Sequence, residues 1–211
     1  YRPNNKWRFH LLGSSGFRAP NVDDIGKVFD SSAGFLVVPN PDLKPEFAWS
    51  GEIGISKTIS DVARIDLVYF NTLLTNAVVV RNFQLDGKDS VIFDGTPSQV
   101  VASQNADHAN IQGVSAIFAA DFNANFSFRS TFSFTHGRYT DTENDTVIPL
   151  DHIPPMFGRT GLVYKNRGLE MEVFTMYNGA KRLKDYSPSG EDNLQYATAV
   201  GMPAWYTLNV R

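Results

Sequence analysis

Apolar and polar side chains alternate along several stretches of the chain. The clearest is residues 123–139, where phenylalanines fall on one face and serine, threonine and arginine side chains on the other. A period of two predicts a β-strand, because successive side chains of a strand point to opposite sides of the sheet. The same alternation predicts strands at residues 6–11, 47–58, 169–173 and 203–211. Helical periodicity is nowhere sustained over the length of an ordinary helix.

Three further segments are apolar enough to be strands, although they alternate less regularly. They are residues 64–83 with an interruption near Asn76, residues 97–121 with a break near Ala106, and residues 155–166. Together with the alternating segments they predict an all-β chain of about eight strands.

The connections between these segments come in two sizes that alternate along the chain. The short ones, built from residue types that tight hairpins prefer, fall at residues 59–62, 121–125 and 166–168. The long ones, rich in Gly, Pro, Asn, Asp and Ser, fall at residues 13–45, 82–98, 137–154 and 179–202. In an antiparallel meander this order puts every tight turn at one end of the sheet and every long loop at the other. Transmembrane β-barrels have that asymmetry, with short periplasmic turns and long extracellular loops.

Two other all-β folds give similar patterns. A secreted soluble β-sandwich also alternates, because one face meets a core and the other meets water. Such a sandwich would be an adhesin or a glycan-binding module, with Trp7, Trp49 or Trp205 as stacking platforms. A small eight-stranded barrel would pair its first and last strands. Strands of about ten to fifteen residues favour the membrane barrel, since a tilted spanning strand needs about ten.

Composition removes several classes of protein. Lysine and arginine number 19 against 22 acidic residues, so the chain lacks the excess of basic residues that a nucleic-acid binder needs. It has no cysteine, which excludes a disulfide framework and a thiolate zinc site. Its apolar runs are far shorter than the roughly twenty residues of a membrane-spanning helix. No nucleophile elbow, phosphate-binding glycine loop or zinc-protease motif is present, so we expect no enzyme.

Two motifs flank the first long loop. The first is Gly16-Phe17-Arg18-Ala19-Pro20-Asn21, and the second is Pro39-Asn40-Pro41-Asp42-Leu43-Lys44-Pro45-Glu46. In their order and spacing they resemble the TonB-dependent outer-membrane receptor family, in which the first motif closes an upward strand and the second opens the next strand downward. Residues 66–71, 105–114 and 153–164 resemble later barrel strands of that family, so the resemblance covers essentially the whole chain.

The resemblance implies a large barrel of about twenty-two strands that encloses an amino-terminal plug. We therefore expect residues 1–211 to be a carboxy-terminal part of such a barrel in the outer membrane, without the plug and without the last strands. The whole receptor would import a scarce ligand such as an iron-siderophore or haem. Its partners would be that extracellular ligand, outer-membrane lipid, and the TonB energy-coupling complex, which acts through the plug.

The resemblance also supplies candidate ligand-binding residues in the motifs and outer loops. These are Phe17, Arg18, Ala19, Pro20, Asn40, Pro41, Asp42, Leu43 and His152. Arg18 has two interpretations: it pairs with Asp42 or Glu46, or it faces solvent at the rim. Related haem receptors carry a histidine between the two motifs, but residues 21–39 contain none, so no axial haem ligand is carried over. No resident cofactor is expected, and haem or a ferric siderophore enters only as cargo.

Other chemistry-bearing residues have simpler interpretations. His10, His108 and His136 are predicted to be ordinary polar residues. The acidic segment 141–145 is predicted to be a solvated loop, since it lacks the glycine and distal glutamate of a calcium-binding loop, and segment 86–89 is interpreted in the same way. Glu170 and Glu172 share a strand face, where we expect them to line a lumen.

Overall fold

A computed structural model describes residues 1–32, 34–141, 145–189, 192 and 194–211. In chain order its elements are β1 (Trp7–Arg18), α1 (Val22–Gly26), β2 (Phe29–Ser32), β3 (Phe35–Val37), β4 (Glu46–Ile59), β5 (Ala63–Asn82), β6 (Ser90–Phe93), β7 (Thr96–Asp121), β8 (Phe126–Asp141), β9 (Thr146–Pro149), β10 (Phe157–Asn166), β11 (Leu169–Asn178), β12 (Lys181–Arg182), β13 (Gly201–Met202) and β14 (Trp205–Val210). Two short 3₁₀ turns, Leu183–Asp185 and Leu194–Tyr196, lie between β12 and β13.

Eight of these strands form one antiparallel wall. Its spatial order, β1-β4-β5-β7-β8-β10-β11-β14, follows their order in the chain, as in a meander. The first and last strands lie at opposite edges, so within the described residues the wall is open and the small closed barrel is excluded. No helix in the described part of the chain is long and apolar enough to cross a membrane.

The pairing registers divide the side chains of the wall into two faces. One, the apolar face, comprises Trp7, Phe9, Leu11, Phe17, Phe47, Trp49, Ile53, Ile55, Ile65, Leu67, Tyr69, Leu73, Val114, Ala116, Phe118, Phe126, Phe128, Phe132, Phe134, Leu162, Tyr164, Leu169, Met171, Val173, Tyr206, Leu208 and Val210. Much of it is uncovered: Leu11 is 80% exposed and Leu208 is 71% exposed. A soluble sandwich would bury such a face against a second sheet.

The opposite face, the polar face, carries a series of ion pairs. Asp66 accepts from Arg64 at 2.6 Å and from the Ser56 hydroxyl at 2.5 Å. His10 lies 2.9 Å from Glu52. The buried Glu172 carboxylate lies 2.6 Å from Arg159 and 2.7 Å from Arg211, and Glu170 lies 3.1 Å from Lys165. Each of the two glutamates that neighbour each other on β11 therefore has a cation of its own.

The two ends of the wall differ as predicted. At the turn end, β4–β5, β7–β8 and β10–β11 are joined by short connections. Ser60, Asp61, Arg167 and Gly168 adopt positive φ there, the conformation that tight hairpin turns require. At the loop end, the connections are residues 19–45, 83–95, 142–156 and 179–204.

The loop end has two small apolar cores. Leu36 and Val38 in the first loop pack with Val100 and Ala102 of β7, where β3 pairs in parallel with β7. A second core joins Ala77, Val79, Ala106, Ala109, Tyr139 and Leu150. These cores attach the loops to the wall.

The first strand is longer than predicted. The first long loop begins after Arg18 rather than at Gly13, because the small residues of the Gly-Ser-Ser-Gly stretch pair in register with β4. The interruptions predicted near Asn76 and Ala106 are present as one irregularity inside β5 and β7. There the ladder passes from the pair Thr75 and His108 directly to the pair Ala77 and Ala106, with Asn76 at a φ of 52°.

Candidate functional site

The first motif is split between the two faces of β1. Phe17 belongs to the apolar face, 73% exposed, with its ring centroid 6.3 Å from that of Phe47. Arg18, the last residue of β1, falls on the polar face opposite Glu46. Ala19 and the half-buried Pro20 lead to Asn21, the N-cap of α1, which exchanges hydrogen bonds with Asp24 in a capping box. The motif thus ends a wall strand and starts a helix.

Arg18 faces solvent at the rim, which is the second of its two interpretations. It is exposed, and within the described part of the chain it forms no ion pair. The carboxylate of Glu46 instead accepts a hydrogen bond at 2.8 Å from the backbone N–H of Val78. The guanidinium of Arg18 is therefore open to solvent at the loop end.

The second motif is bound to β7 through Ser103. The side-chain amide of Asn40 donates to the carbonyl of Ser103 at 2.9 Å, and its backbone N–H donates to the carbonyl of Asp24 at 3.0 Å. The Ser103 hydroxyl donates to the Asp24 carboxylate at 2.9 Å. The second motif is therefore bound directly to β7, whereas the first is linked to β7 only through Asp24, which its last residue, Asn21, caps.

Asn105 holds the end of the second motif. Its side-chain oxygen accepts from the backbone N–H of Lys44 at 2.8 Å, and its amide donates to the carbonyls of Lys44 at 2.9 Å and Asn76 at 2.8 Å. The Asn105 side chain thus binds both backbone groups of Lys44, as a neighbouring strand would. Of the remaining motif residues, Pro41 and Asp42 are exposed and Leu43 is half-buried.

A cavity of about 260 Å³ opens on the polar face at the loop end. Its walls include Arg81, Gln104, Tyr139, Asp141 and Ser189. The Arg81 guanidinium lies 5.0 Å above the Tyr139 ring and 3.9 Å from the Asp141 carboxylate. The Nε atom of Arg81 is buried and has no hydrogen-bond partner in the described part of the chain. The cavity therefore offers polar groups to a ligand.

His152 lies in the loop after β9, where its side chain is exposed. Its backbone N–H donates to Asp192 at 2.9 Å, and the N–H of Ser187 donates to the same carboxylate at 3.0 Å. Lys181 lies 2.9 Å from Asp192, and both side chains are nearly buried. Burial disfavours the charged form, but the bonds from Lys181 and the two N–H groups outweigh it and hold the pKa of Asp192 below its ordinary range. Asp192 therefore ties two long loops together.

The sequence analysis missed the residues that organise this region. Asp24, Ser103, Asn105 and Asp192 hold the second motif and the loops in place. Asn105 belongs to the segment that resembles a later barrel strand of the family. Most partners of these residues lie too far along the chain for a local pattern to reveal them.

Metal binding has no geometric support among the described residues. No group of three His, Asp or Glu side chains there is arranged to hold an ion. The predicted acidic loop at 141–145 has its three central residues, Thr142, Glu143 and Asn144, outside the described part of the chain.

An open antiparallel wall, with one apolar exposed face, one charged face and long loops at one end, defines part of a transmembrane β-barrel of the outer membrane. The whole chain, residues 1–211, matches the family described as "TonB dependent receptor-like, beta-barrel". The chain belongs to this family of outer-membrane transport receptors. In transmembrane β-barrels in general, the apolar outer face meets lipid, the polar interior forms the lumen, and the longer loops are extracellular.

Two curated relatives come from Haemophilus influenzae. The "Probable hemoglobin and hemoglobin-haptoglobin-binding protein 4" is 26% identical over 204 residues, which are 88% of this chain and 19% of that protein. "Hemoglobin-binding protein A" is 26% identical over 215 residues, 94% of this chain and 20% of that protein. The chain thus spans about a fifth of the length of these relatives.

Solved structures show the same fold. The copper transporter OprC superposes with a TM-score of 0.70 at 12% identity, over 98% of this chain and 29% of that one. The siderophore receptor PirA from Acinetobacter baumannii gives a TM-score of 0.68 at 17% identity, over 99% of this chain and 32% of that one. Because one of these proteins is a copper transporter and the other a siderophore receptor, the shared fold does not identify a ligand.

Proposed function

We propose that this chain forms wall and extracellular loops of a receptor that imports a scarce iron-containing ligand across the outer membrane. The observation that carries the proposal is the family match over all 211 residues, together with the attachment of the second motif to β7. The protein acts as a transport receptor and not as an enzyme.

Haem taken from haemoglobin is the favoured cargo. Both curated relatives are named for haemoglobin binding, and each match spans most of this chain. A ferric siderophore is the second candidate, because the fold is shared with siderophore receptors. With no histidine between residues 21 and 39, we infer that haem passes this wall without an axial bond from the first loop.

The extracellular end supplies the first contacts with the cargo. Arg18 presents a free cation beside the first loop, and Arg81 and Gln104 present polar groups in the cavity on the polar face. Haem and many siderophores carry carboxylate or other anionic groups, which arginine binds well. His152 and Asp42 are exposed at the same end and are candidate contacts.

Residues 1–211 form a partial barrel, and further strands and a plug domain complete the receptor. The open edges at β1 and β14 support this, as does the small share of each relative that the chain spans. Energy would reach the receptor through the TonB complex acting on the plug. Residues 1–211 expressed alone are therefore expected not to restore uptake.

The test is growth of a receptor-null strain that carries the full-length gene. Haemoglobin, free haem and a ferric siderophore are supplied in turn as the sole iron source, with and without functional TonB. We expect growth on haemoglobin and haem that is lost without TonB. Growth on the siderophore alone would reassign the cargo, and failure on all three sources would refute iron uptake.

A further inference from the structure

One residue inside β5, Asn76, has a left-handed backbone. Its φ is 52°, and of the non-glycine residues with positive φ in the described part of the chain it alone lies within a strand. The ladder between β5 and β7 passes over this position and resumes in the same register at Ala77 and Ala106. Asparagine tolerates this backbone conformation, whereas a β-branched residue strongly disfavours it. The pairing of the two strands therefore continues while their direction changes.

The side chains beyond Asn76 lie on the opposite face from the one that alternation predicts. Counting by twos from Leu73, which belongs to the apolar face, leads to Ala77 and Val79. Both are instead buried in one cluster with Tyr139, which lies on the polar face of β8. Asn76 therefore exchanges the two faces of β5.

The strands also bend at this point. On β7, the pairing partner of Arg81 is Ala102 and that of Tyr139 is Ala109. Residues 102 and 109 would lie about 23 Å apart in a straight strand. The Arg81 guanidinium nevertheless lies 5.0 Å from the centre of the Tyr139 ring and 3.9 Å from the Asp141 carboxylate. A straight wall would keep these groups apart, so the loop-end parts of β5 and β7 fold toward the polar face.

Two side chains complete the backbone hydrogen bonds at the bend. The amide of Asn105 donates to the carbonyl of Asn76 at 2.8 Å. The ladder between β4 and β5 ends at Thr75, so the N–H of Val78 lies beyond it and donates to the Glu46 carboxylate at 2.8 Å. Because backbone groups without partners are costly when buried, these two bonds stabilise the bend. It is held from one side by β7 and from the other by the second motif.

We propose that Asn76 is a positioning residue for the cavity beside Arg81, and through this cavity for capture of the cargo. Without the bend, Arg81 and Gln104 would lie far from Tyr139. The cavity of about 260 Å³, which all three residues line, would then not form. The role in capture rests on the proposed function, whereas the role in shaping the cavity rests on the geometry alone.

The bend is tested with a single cysteine, Val79→Cys, in the full-length receptor freed of any other cysteine. Val79 is 4% exposed, so a charged maleimide should label this cysteine slowly. Adding Asn76→Val should raise the labelling rate by about tenfold, because valine resists the left-handed backbone and the buried cluster would open. Asn76→Gly, which permits positive φ, should restore slow labelling. Asn71→Val, the matched control in the same strand, lies outside the bend and should also label slowly.

Capture is tested by uptake of haem into cells, measured for the same variants without the cysteine and at equal outer-membrane levels. We expect Asn76→Val and Arg81→Gln each to lower uptake by about tenfold. Asn76→Gly and Asn71→Val should leave uptake normal. Arg81→Gln should leave the cysteine at position 79 slow to label, because it removes a cavity group and not the bend.

Slow labelling in Asn76→Val would overturn the bend, and fast labelling with normal uptake would overturn the role in capture. If Asn76→Val does not reach the outer membrane, Asn76→Ala is judged by the same two criteria, because alanine opposes positive φ more mildly. Failure of the wild type to take up haem would refute the proposed cargo. The labelling rates would still decide whether Asn76 shapes the cavity.

Discussion

The turn end and the loop end of the same wall are held by different kinds of contact. At the turn end, Asn123 accepts hydrogen bonds from the N–H groups of Asn125 and Phe126, two and three residues away. At the loop end, Asn105 binds Lys44 from 61 residues away, and Ser103 binds Asp24 from 79 residues away. The bonds of Asn123 are thus local, whereas those of Asn105 and Ser103 join segments that are distant in the chain.

This difference separates stability of the wall from placement of the loops. A hairpin turn closes a short segment, so its residues act on their own hairpin. A loop anchor joins segments whose ends the wall has already brought together, so little further loop-closure entropy opposes it. We therefore expect substitutions at loop anchors to release loops while the wall stays folded. Substitutions at turns should destabilise the wall while the loops stay docked.

The largest effect is expected for Asn105→Ala. It removes three hydrogen bonds at about 1 kcal/mol each, so docking of the first loop should weaken by about 3 kcal/mol. Protease cleavage within residues 19–45, measured on intact cells, should then rise roughly a hundredfold. The matched control is Asn123→Ala at the turn end, which should leave this cleavage unchanged. Increased cleavage of the first loop in Asn123→Ala would contradict our expectation that the turn end and the loop end are stabilised independently.

Asp192→Asn should weaken the docking of the last loop, residues 179–204, by about 2 to 3 kcal/mol, because the substitution leaves the Lys181 cation buried without its anion. The measurement is cleavage within residues 179–204. Asp185→Asn is the control, since the pair of Asp185 with Arg138 is more exposed and should matter less.

The same pair gives a pH dependence. The pKa of Asp192 is lowered on folding, so its stabilisation is complete above the ordinary aspartate pKa and is lost as pH falls below that value. Asp192→Asn at neutral pH should reproduce the loop release that we expect of the wild type under strong acid. Release of the wild-type loop at mildly acidic pH would point to a different titrating group.

Arg18→Ala should lower uptake of the cargo by about tenfold while outer-membrane levels of the receptor stay normal, because the side chain is exposed and supports no described ion pair. Arg2→Ala, an exposed arginine before β1, is the matched control and should not change uptake. Unchanged uptake in Arg18→Ala would remove the first motif from ligand capture.

The smallest effect is expected for Gly168→Ala. Gly168 has a φ of 88°, which alanine adopts at a cost of about 1 kcal/mol. The midpoint of thermal unfolding of the full-length protein in detergent should fall slightly, with loop cleavage unaltered. Gly16→Ala is the control, because a Cβ there meets open space at an ordinary φ, and it should be neutral.

Much of the wall was predictable from local pattern. Period-two alternation gave the strands and the two faces, and turn chemistry gave the two ends. The extent of β1 was not predictable, because Gly-Ser-Ser-Gly has the composition of a loop and only pairing with β4 makes it a strand. Of the candidate ligand residues, Arg18 and His152 are exposed at the loop end, whereas Phe17 lies on the apolar face.

The sequence by itself determined the meander, the identity of the faces and the family, since each depends on residues that are close in the chain. Tertiary structure alone decided that the second motif docks on Ser103 and Asn105, that Asp192 joins two loops, and that a cavity forms beside Arg81. The physical reason is range. The periodicity of a strand is visible in adjacent residues. A hydrogen bond between a side chain and the backbone of a distant residue forms only after the wall has brought the two together.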